Sequence, residues 1–305
     1  MLKLERVTKV FKVGTFGGKR LTAVREVSFD LKPGEVVSLI GESGSGKTTV
    51  GKMILRLTPV TDGAITFDET DVSTLERGRL KSYYSEVQGV FQDPFSSYNP
   101  IFKADRVFSM IRGAYFRELS GAEWKRKLDA SLNAVSLEPE AVLNKFPHEL
   151  SGGQLQRLLI ARALLLDIKY LVADEIISML DASTRIDVLN LLGDLKARGL
   201  GVLFITHDLA LGNYISERTV ILRRGSIVEM GATEKVFANP LHPYTKMLIA
   251  SVPHLHKKWE QVEREVGAPD VHEHVVREQS ADEPAEGDVA APLEAVDDDH
   301  FVALG

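Results

Sequence analysis

Residues 41–48 read G-E-S-G-S-G-K-T, and the stretches on either side narrow what that octapeptide can be. Val36 to Ile40 is an apolar run of strand length, and Thr48 to Leu57 carries Val50, Met53, Ile54 and Leu57 at helical spacing. Strand, glycine-rich turn and helix is the context in which G-x-x-x-x-G-K-[ST] cradles phosphate. Gly41, Gly44 and Gly46 let the backbone curl so that successive N–H groups converge on phosphate oxygens. The helix N-terminus adds partial positive charge, Lys47 neutralises β- and γ-phosphates, and the Thr48 hydroxyl can ligate Mg²⁺. A turn that merely joins strand to helix is the alternative, and the flanking elements weigh against it. The chain reads as an α/β nucleotide-binding protein.

With 305 residues, 44% of them hydrophobic and 26% charged, there is material for one large or two modest cored domains. No apolar stretch reaches the roughly 18–20 residues that span a bilayer. The richest one, Leu158 to Leu166, is broken by Arg162. The N-terminal M-L-K-L-E-R-V-T-K-V alternates like a strand and lacks the apolar centre of a signal peptide. Zero cysteines exclude disulfides and thiolate metal sites, and fit a cytosolic setting. The net charge of −6 is unevenly placed: residues 261–305 hold thirteen Asp/Glu against two Arg, a net −11, so the rest carries +5. So mildly basic a body suits a phosphate-rich ligand and gives no argument for nucleic acid.

In chain order, residues 2–13 and 24–40 read as strands, the second stretch turning at Lys32-Pro33-Gly34-Glu35, with a glycine-rich loop at 14–20. Thr61-Asp62-Gly63 is a turn before a strand at 64–67, and an apolar strand at 87–91 runs into Gln92-Asp93-Pro94. Helical periodicity takes over at 104–119, 122–137 and 154–166, with Ser120 placed to cap the second of these helices. A buried strand at 170–173, a helix at 183–197, a strand at 201–206 and a hairpin of 218–223 with 227–230 follow. The helical block, about 95–166, thus interrupts an α/β core as an inserted subdomain. Residues 254–305 are acidic, contain Pro269, Pro284 and Pro292, and show no sustained period, so disorder is expected there. His272-Glu273-His274 within them suggests no further ligand and reads as solvated tail rather than a metal site.

A phosphate loop needs a second acid for Mg²⁺ and a group to orient attacking water. Tyr170-Leu171-Val172-Ala173-Asp174-Glu175 offers both at the C-terminal end of a strand, where ligands sit in open parallel sheets. Asp174 would hold the ion's hydration shell and Glu175 would polarise water against the γ-phosphate. Two solvated acids ending a buried strand is the plainer alternative. Leu150-Ser151-Gly152-Gly153-Gln154 opens a helix and makes a second cluster of N–H donors suited to phosphate; taken alone, an ordinary N-cap is the better explanation.

Together these pieces resemble the ATP-binding subunits of ABC transporters. L-S-G-G-Q begins 103 residues after Lys47 and 24 before Asp174, and looks like the family's signature motif. Gln92 in F-Q-D-P matches the Q-loop, Ser178-Met179-Leu180-Asp181 the D-loop, and His207 in I-T-H-D the switch histidine. Phe11, 30 residues before Gly41, matches the aromatic that stacks on adenine. The resemblance covers about residues 2–253. It implies a RecA-like P-loop NTPase core with an N-terminal antiparallel β subdomain and the inserted helical subdomain. It implies ATP contacts from Phe11, Gly41, Ser43, Gly44, Ser45, Gly46, Lys47, Thr48 and Thr49. Ser151, Gly152, Gly153, Gln154 and Asp181 would serve ATP across a head-to-tail dimer. Mg²⁺ would be held by Thr48, Gln92 and Asp174, and catalysis carried by Glu175, His207 and Gln92.

Asn239-Pro240-Leu241-His242-Pro243-Tyr244-Thr245, leading on to Pro253, resembles the C-terminal region of oligopeptide/dipeptide importers and marks residues 231–253. On residues alone it is a proline-rich turn into a short amphipathic helix whose job is packing. The implied partners are a second ATPase subunit, a paralogue in most resembling importers, two membrane permeases and, indirectly, an extracytoplasmic solute-binding protein. The implied place is the cytoplasmic face of the membrane. Two departures stand out: Ile176 replaces the usual proline after Glu175, and S-M-L-D replaces S-A-L-D, wording similar to relatives that import oligosaccharides. A soluble ABC ATPase acting on DNA or ribosomes is the rival reading, without the long coiled-coil insertion or second ATPase half typical of that class. Phe95, Tyr98 and Phe102 either line a groove for a permease helix or supply the helical subdomain's core.

Overall fold

The computed structural model describes residues 1–13, 18–178, 180–251 and 291–303. Two sheets carry the architecture. The N-terminal one is antiparallel, in the order β2 (Lys19–Leu31), β1 (Leu2–Val13), β4 (Asp62–Phe67) and β5 (Thr70–Asp71). Its inward residues Leu2, Leu4, Phe29, Leu31 and Ile65 are buried, which the period-two alternation of these strands dictates.

The second sheet has eight strands. Five run parallel: β9 (Arg218–Arg223), β3 (Val36–Ile40), β8 (Gly201–Thr206), β7 (Tyr170–Asp174) and β6 (Val87–Val90), in that order. Strands β3, β7 and β8 are buried along their whole length, as expected of parallel strands covered on both faces. One face, with Val37, Leu39, Leu203 and Ile205, packs on α1 (Lys47–Ile54) and through it on the N-terminal sheet. The other, with Val202 and Phe204, packs on Val188, Leu189 and Leu192 of α7 (Ala182–Ala197) and on the helical block. Phe67 bridges the sheets, lying edge-on to Tyr83 of α2 (Arg77–Glu86) at 5.5 Å and to Tyr170 at 5.9 Å.

Between β6 and β7 lie α3 (Arg106–Tyr115), α4 (Gly121–Asn133), α5 (Pro139–Val142) and α6 (Gly152–Leu164). Ser120 caps α4 in a reciprocal box with Glu123. Their apolar faces meet in one core of Phe108, Trp124, Leu132, Val142 and Leu155 that is continuous with α7. Tyr98 is packed against that core, its hydroxyl donating to Leu155 O at 3.5 Å, and burial raises its pKa above the ordinary phenol value. Phe95, Ile101 and Phe102 stay exposed, at 49%, 76% and 41%. The three aromatics therefore divide: Tyr98 belongs to the core, and Phe95 and Phe102 to the surface.

After β8 come α8 (Leu209–Ile215), β9, then β10 (Ser226–Ala232) antiparallel to β9, α9 (Thr233–Ala238) and α10 (Pro243–Ala250). The end of the chain corrects the expectation of a wholly disordered tail. Residues 293–303 form a hairpin, β11 (Leu293–Asp297) with β12 (His300–Ala303), and β12 pairs antiparallel with β10. The acidic composition hid a short strand whose His300, Val302 and Ala303 are buried against β10. Residues 252–290, with His272-Glu273-His274, lie outside the described residues, as do 14–17 and Met179.

Candidate functional site

Because β3, β8, β7 and β6 are adjacent and parallel, the loops that leave their C-terminal ends form one row. The phosphate loop leaves β3, His207 follows β8, Asp174 and Glu175 end β7, and Gln92 follows β6. Residues from positions 41 to 207 are thereby gathered at one edge of the sheet.

The turn at 41–47 has the backbone that its glycines permit. Gly44 and Gly46 sit at φ +80° and +103°, left-handed values that side chains rarely adopt. A Cβ on Gly41 would stand 2.1 Å from Leu222 O, so β9 leaves room there for backbone only. Gly46 precedes α1 without a side-chain cap, which leaves the helix's first N–H groups to a ligand. Lys47 is buried, and its Nζ donates to Gly41 O and Glu42 O, both at 2.7 Å. Burial lowers its pKa from the ordinary lysine value, against the raising pull of Glu175, Asp174 and Glu42. Ser45 is buried beside it and accepts from Lys47 Nζ at 3.4 Å, while Ser43, Gly44 and Thr48 face solvent and Thr49 is half-buried.

Thr48 Oγ1 donates to Asp174 Oδ1 at 3.2 Å. Asp174 is 3% exposed, and burial raises its pKa above the usual carboxylate range, partly offset by that hydrogen bond. A solvent-facing hydroxyl and a buried carboxylate converging there form an all-oxygen donor pair that fits a small hard cation retaining water ligands. One residue on, Glu175 Oε1 lies 3.2 Å from His207 Nδ1. Glu175 has φ +49°, a strained value for a non-glycine residue, and its N–H is tied to Ile205 O at 2.9 Å. Ile176, in place of a proline, is buried in the core and leaves that backbone free of proline's restriction on the preceding residue. Gln92 is exposed, two residues past β6, the strand that pairs with β7.

The remaining expected residues do not join this cluster through any hydrogen bond among the described residues. Ser151 caps α6: its Oγ accepts from Gln154 N at 3.2 Å, and Gln154 Oε1 accepts from Ser151 N at 2.9 Å. Gly153 lies against α7, where an added Cβ would meet Thr184 Cγ2 at 2.9 Å, and Gly152 faces Phe95. Asp181 caps α7, accepting from Thr184 N, Thr184 Oγ1 and Ser183 Oγ; these bonds hold its carboxyl well below the usual range. Phe11 pairs with Leu21 across β1 and β2, two residues before Ala23, whose carbonyl closes on Gly46. The ring is partly exposed, with Lys9 Nζ 4.9 Å from its centroid.

Sequence reasoning missed one contact. Tyr244, assigned to packing, is buried, and its hydroxyl accepts from Glu42 N of the phosphate loop at 3.1 Å. The two residues stand 202 positions apart, beyond any local pattern.

A family model described as ABC transporter matches residues 24–178, and one described as oligopeptide/dipeptide transporter, C-terminal region, matches residues 228–275. A peptide import ATP-binding protein of Brucella ovis is 43% identical over 235 residues, 76% of this chain and 73% of its own length. The glutathione import ATP-binding protein of Salmonella typhimurium is 44% identical over 237 residues, 77% of this chain and 38% of that protein. The dimeric structure of MJ0796, a bacterial ABC transporter cassette, has a TM-score of 0.69 at 31% identity, covering 76% of this chain and 99% of that one. MJ0796 in a dimeric post-hydrolysis state bound to ADP and Pi has a TM-score of 0.68, again at 31% identity. A phosphate loop, a threonine–aspartate pair and a glutamate–histidine pair in one row thus coincide with these likenesses: the chain belongs to the ABC-transporter ATP-binding family, and within it to the oligopeptide/dipeptide importer type.

Proposed function

We propose that this chain is the ATP-hydrolysing subunit that powers import of peptides or peptide-like solutes, seated on the cytoplasmic face of a membrane through separate permeases. The observation that carries it is the Glu175–His207 pair, set one residue from Asp174 and one strand from the phosphate loop. Lys47 and the free N–H groups of α1 bind the β- and γ-phosphates. Thr48, Asp174 and Gln92 would hold Mg²⁺, which supplies charge neutralisation on the phosphate oxygens. Glu175 Oε1 orients a water in line with the γ-phosphorus and takes its proton as the new P–O bond forms and the bond to ADP breaks. His207 Nδ1 holds that carboxylate in place.

The likeness to a dimeric cassette supports pairing, and a head-to-tail pair would bring Ser151 to Gln154 and Asp181 to ATP held by the partner. No described helix is long and apolar enough to cross a membrane. Relatives named for peptide and glutathione import favour that cargo over oligosaccharides, and favour import over a role on DNA or ribosomes. The exposed Phe95, Ile101 and Phe102, just after Gln92, suit a permease helix. Glu175→Gln is expected to keep ATP binding while lowering kcat by about 10²–10⁴ and accumulating ATP-bound dimers, read by ATPase assay and size exclusion. Near-normal turnover would remove Glu175 from the role.

A further inference from the structure

The peptide unit joining Gly41 to Glu42 is gripped at both ends. Its carbonyl, on Gly41, accepts from Lys47 Nζ at 2.7 Å, and its N–H, on Glu42, donates to the Tyr244 hydroxyl at 3.1 Å. Tilting that plane moves the carbonyl against which Lys47 is set. Tyr244 is well placed to prevent the tilt. It is buried in a core with Ile40, Ile221 and Val236, and the Arg223 guanidinium lies 5.1 Å from its ring centroid.

The start of α10 is fixed as firmly. His242 caps it, Nδ1 accepting from Tyr244 N at 3.0 Å. The residues before it are held by Glu229 of β10, whose fully buried carboxylate accepts from Leu241 N at 2.9 Å and His242 N at 3.0 Å. The same carboxylate meets His300 Nε2 of β12 at 2.8 Å. A continuous line of buried and part-buried polar contacts therefore runs from the last strand, through Glu229 and the turn at 241–242, to the phosphate loop. Such satisfied networks rigidify what they touch.

We propose that Tyr244 is a positioning residue of the nucleotide site: its hydroxyl holds the Gly41–Glu42 peptide so that Lys47 is presented to the β- and γ-phosphates, and Glu229 with His300 braces it. The importer-type C-terminal region thereby acts on ATP affinity as well as on packing. This rests on the phosphate loop being the ATP site.

Tyr244→Phe deletes the hydroxyl and keeps the ring. In the full chain, the Kd for a fluorescent ATP analogue should rise about three- to tenfold, the weight of one lost hydrogen bond. In ATPase assays KM should rise while kcat stays near wild type, and amide exchange at Glu42 should accelerate with β3 still protected. A purely structural role would lower the melting temperature and leave the affinity unchanged. Unaltered Kd, or unaltered exchange at Glu42, overturns the proposal. Lys47→Ala separates the two readings: if that variant binds the analogue like wild type, the phosphate-loop reading fails. If it loses binding while Tyr244→Phe keeps wild-type affinity, only the positioning role fails. His300→Gln should raise the Kd in the same direction as Tyr244→Phe, and an unchanged value removes the brace.

Discussion

Two turns in this chain open helices and carry glycines, yet they are built for different tasks. The loop at 41–47 curls through left-handed glycines, buries a lysine, and enters α1 without a side-chain cap. Its donors are organised around a ligand. The turn at 150–154 enters α6 through a complete Ser151–Gln154 capping box, and neither of its glycines is left-handed. Gly153 is there for close approach to Thr184. The first turn makes a site by itself, whereas the second is a finished helix start that can only add to a ligand held elsewhere. That asymmetry fits the head-to-tail pair proposed above.

Lys47→Ala tests the first half most severely. Removing a buried charge from its phosphate partners is expected to weaken ATP binding on the order of a hundredfold or more, measured by titration of the full chain. A Ser151→Ala chain should instead bind ATP with the affinity of wild type and fail to form the ATP-dependent dimer in size exclusion. Equal losses of binding in the two variants would erase the distinction.

Glycine-to-alanine changes sharpen the same contrast through stability. Gly41→Ala would press a methyl on Leu222 O, a backbone atom fixed in β9, and is expected to cost about 3 kcal/mol or to prevent folding. Gly153→Ala presses on the side-chain methyl of Thr184 rather than on backbone and is expected to cost about 1 kcal/mol. Chemical denaturation of both variants gives the ranking, and an inverted order would break it.

His300→Ala leaves the buried Glu229 carboxylate with one partner fewer and is expected to destabilise the chain by about 3 kcal/mol. An unchanged melting temperature would show that the terminal hairpin does not dock. Ile101→Glu should change stability and ATP affinity least of all, because the side chain is 76% exposed. Its effect should appear only as release from the permeases in a pull-down.

The local pieces were legible because short-range chemistry writes them. Alternation marked β1, short apolar runs marked β3, β7 and β8, helical periodicity marked α4 and α6, and Ser120 announced the start of α4. Asp174 and Glu175 were readable as a pair because a buried strand delivers both to one edge. Tyr98 was not assignable, since an aromatic after a proline-rich turn looks the same whether it faces core or solvent. Charge composition misled at the C-terminus, where four residues of β12 are outweighed by the acids around them.

The amino-acid sequence by itself determined the phosphate loop, the order of the motifs along the chain and the family, since each motif is a run of residues within a few positions of one another. Only the tertiary structure decided that Glu175 meets His207, that Tyr244 holds the phosphate loop, and that His300 reaches Glu229. Those contacts join residues 32, 202 and 71 positions apart. They exist because strand order, not chain order, sets which loop ends become neighbours.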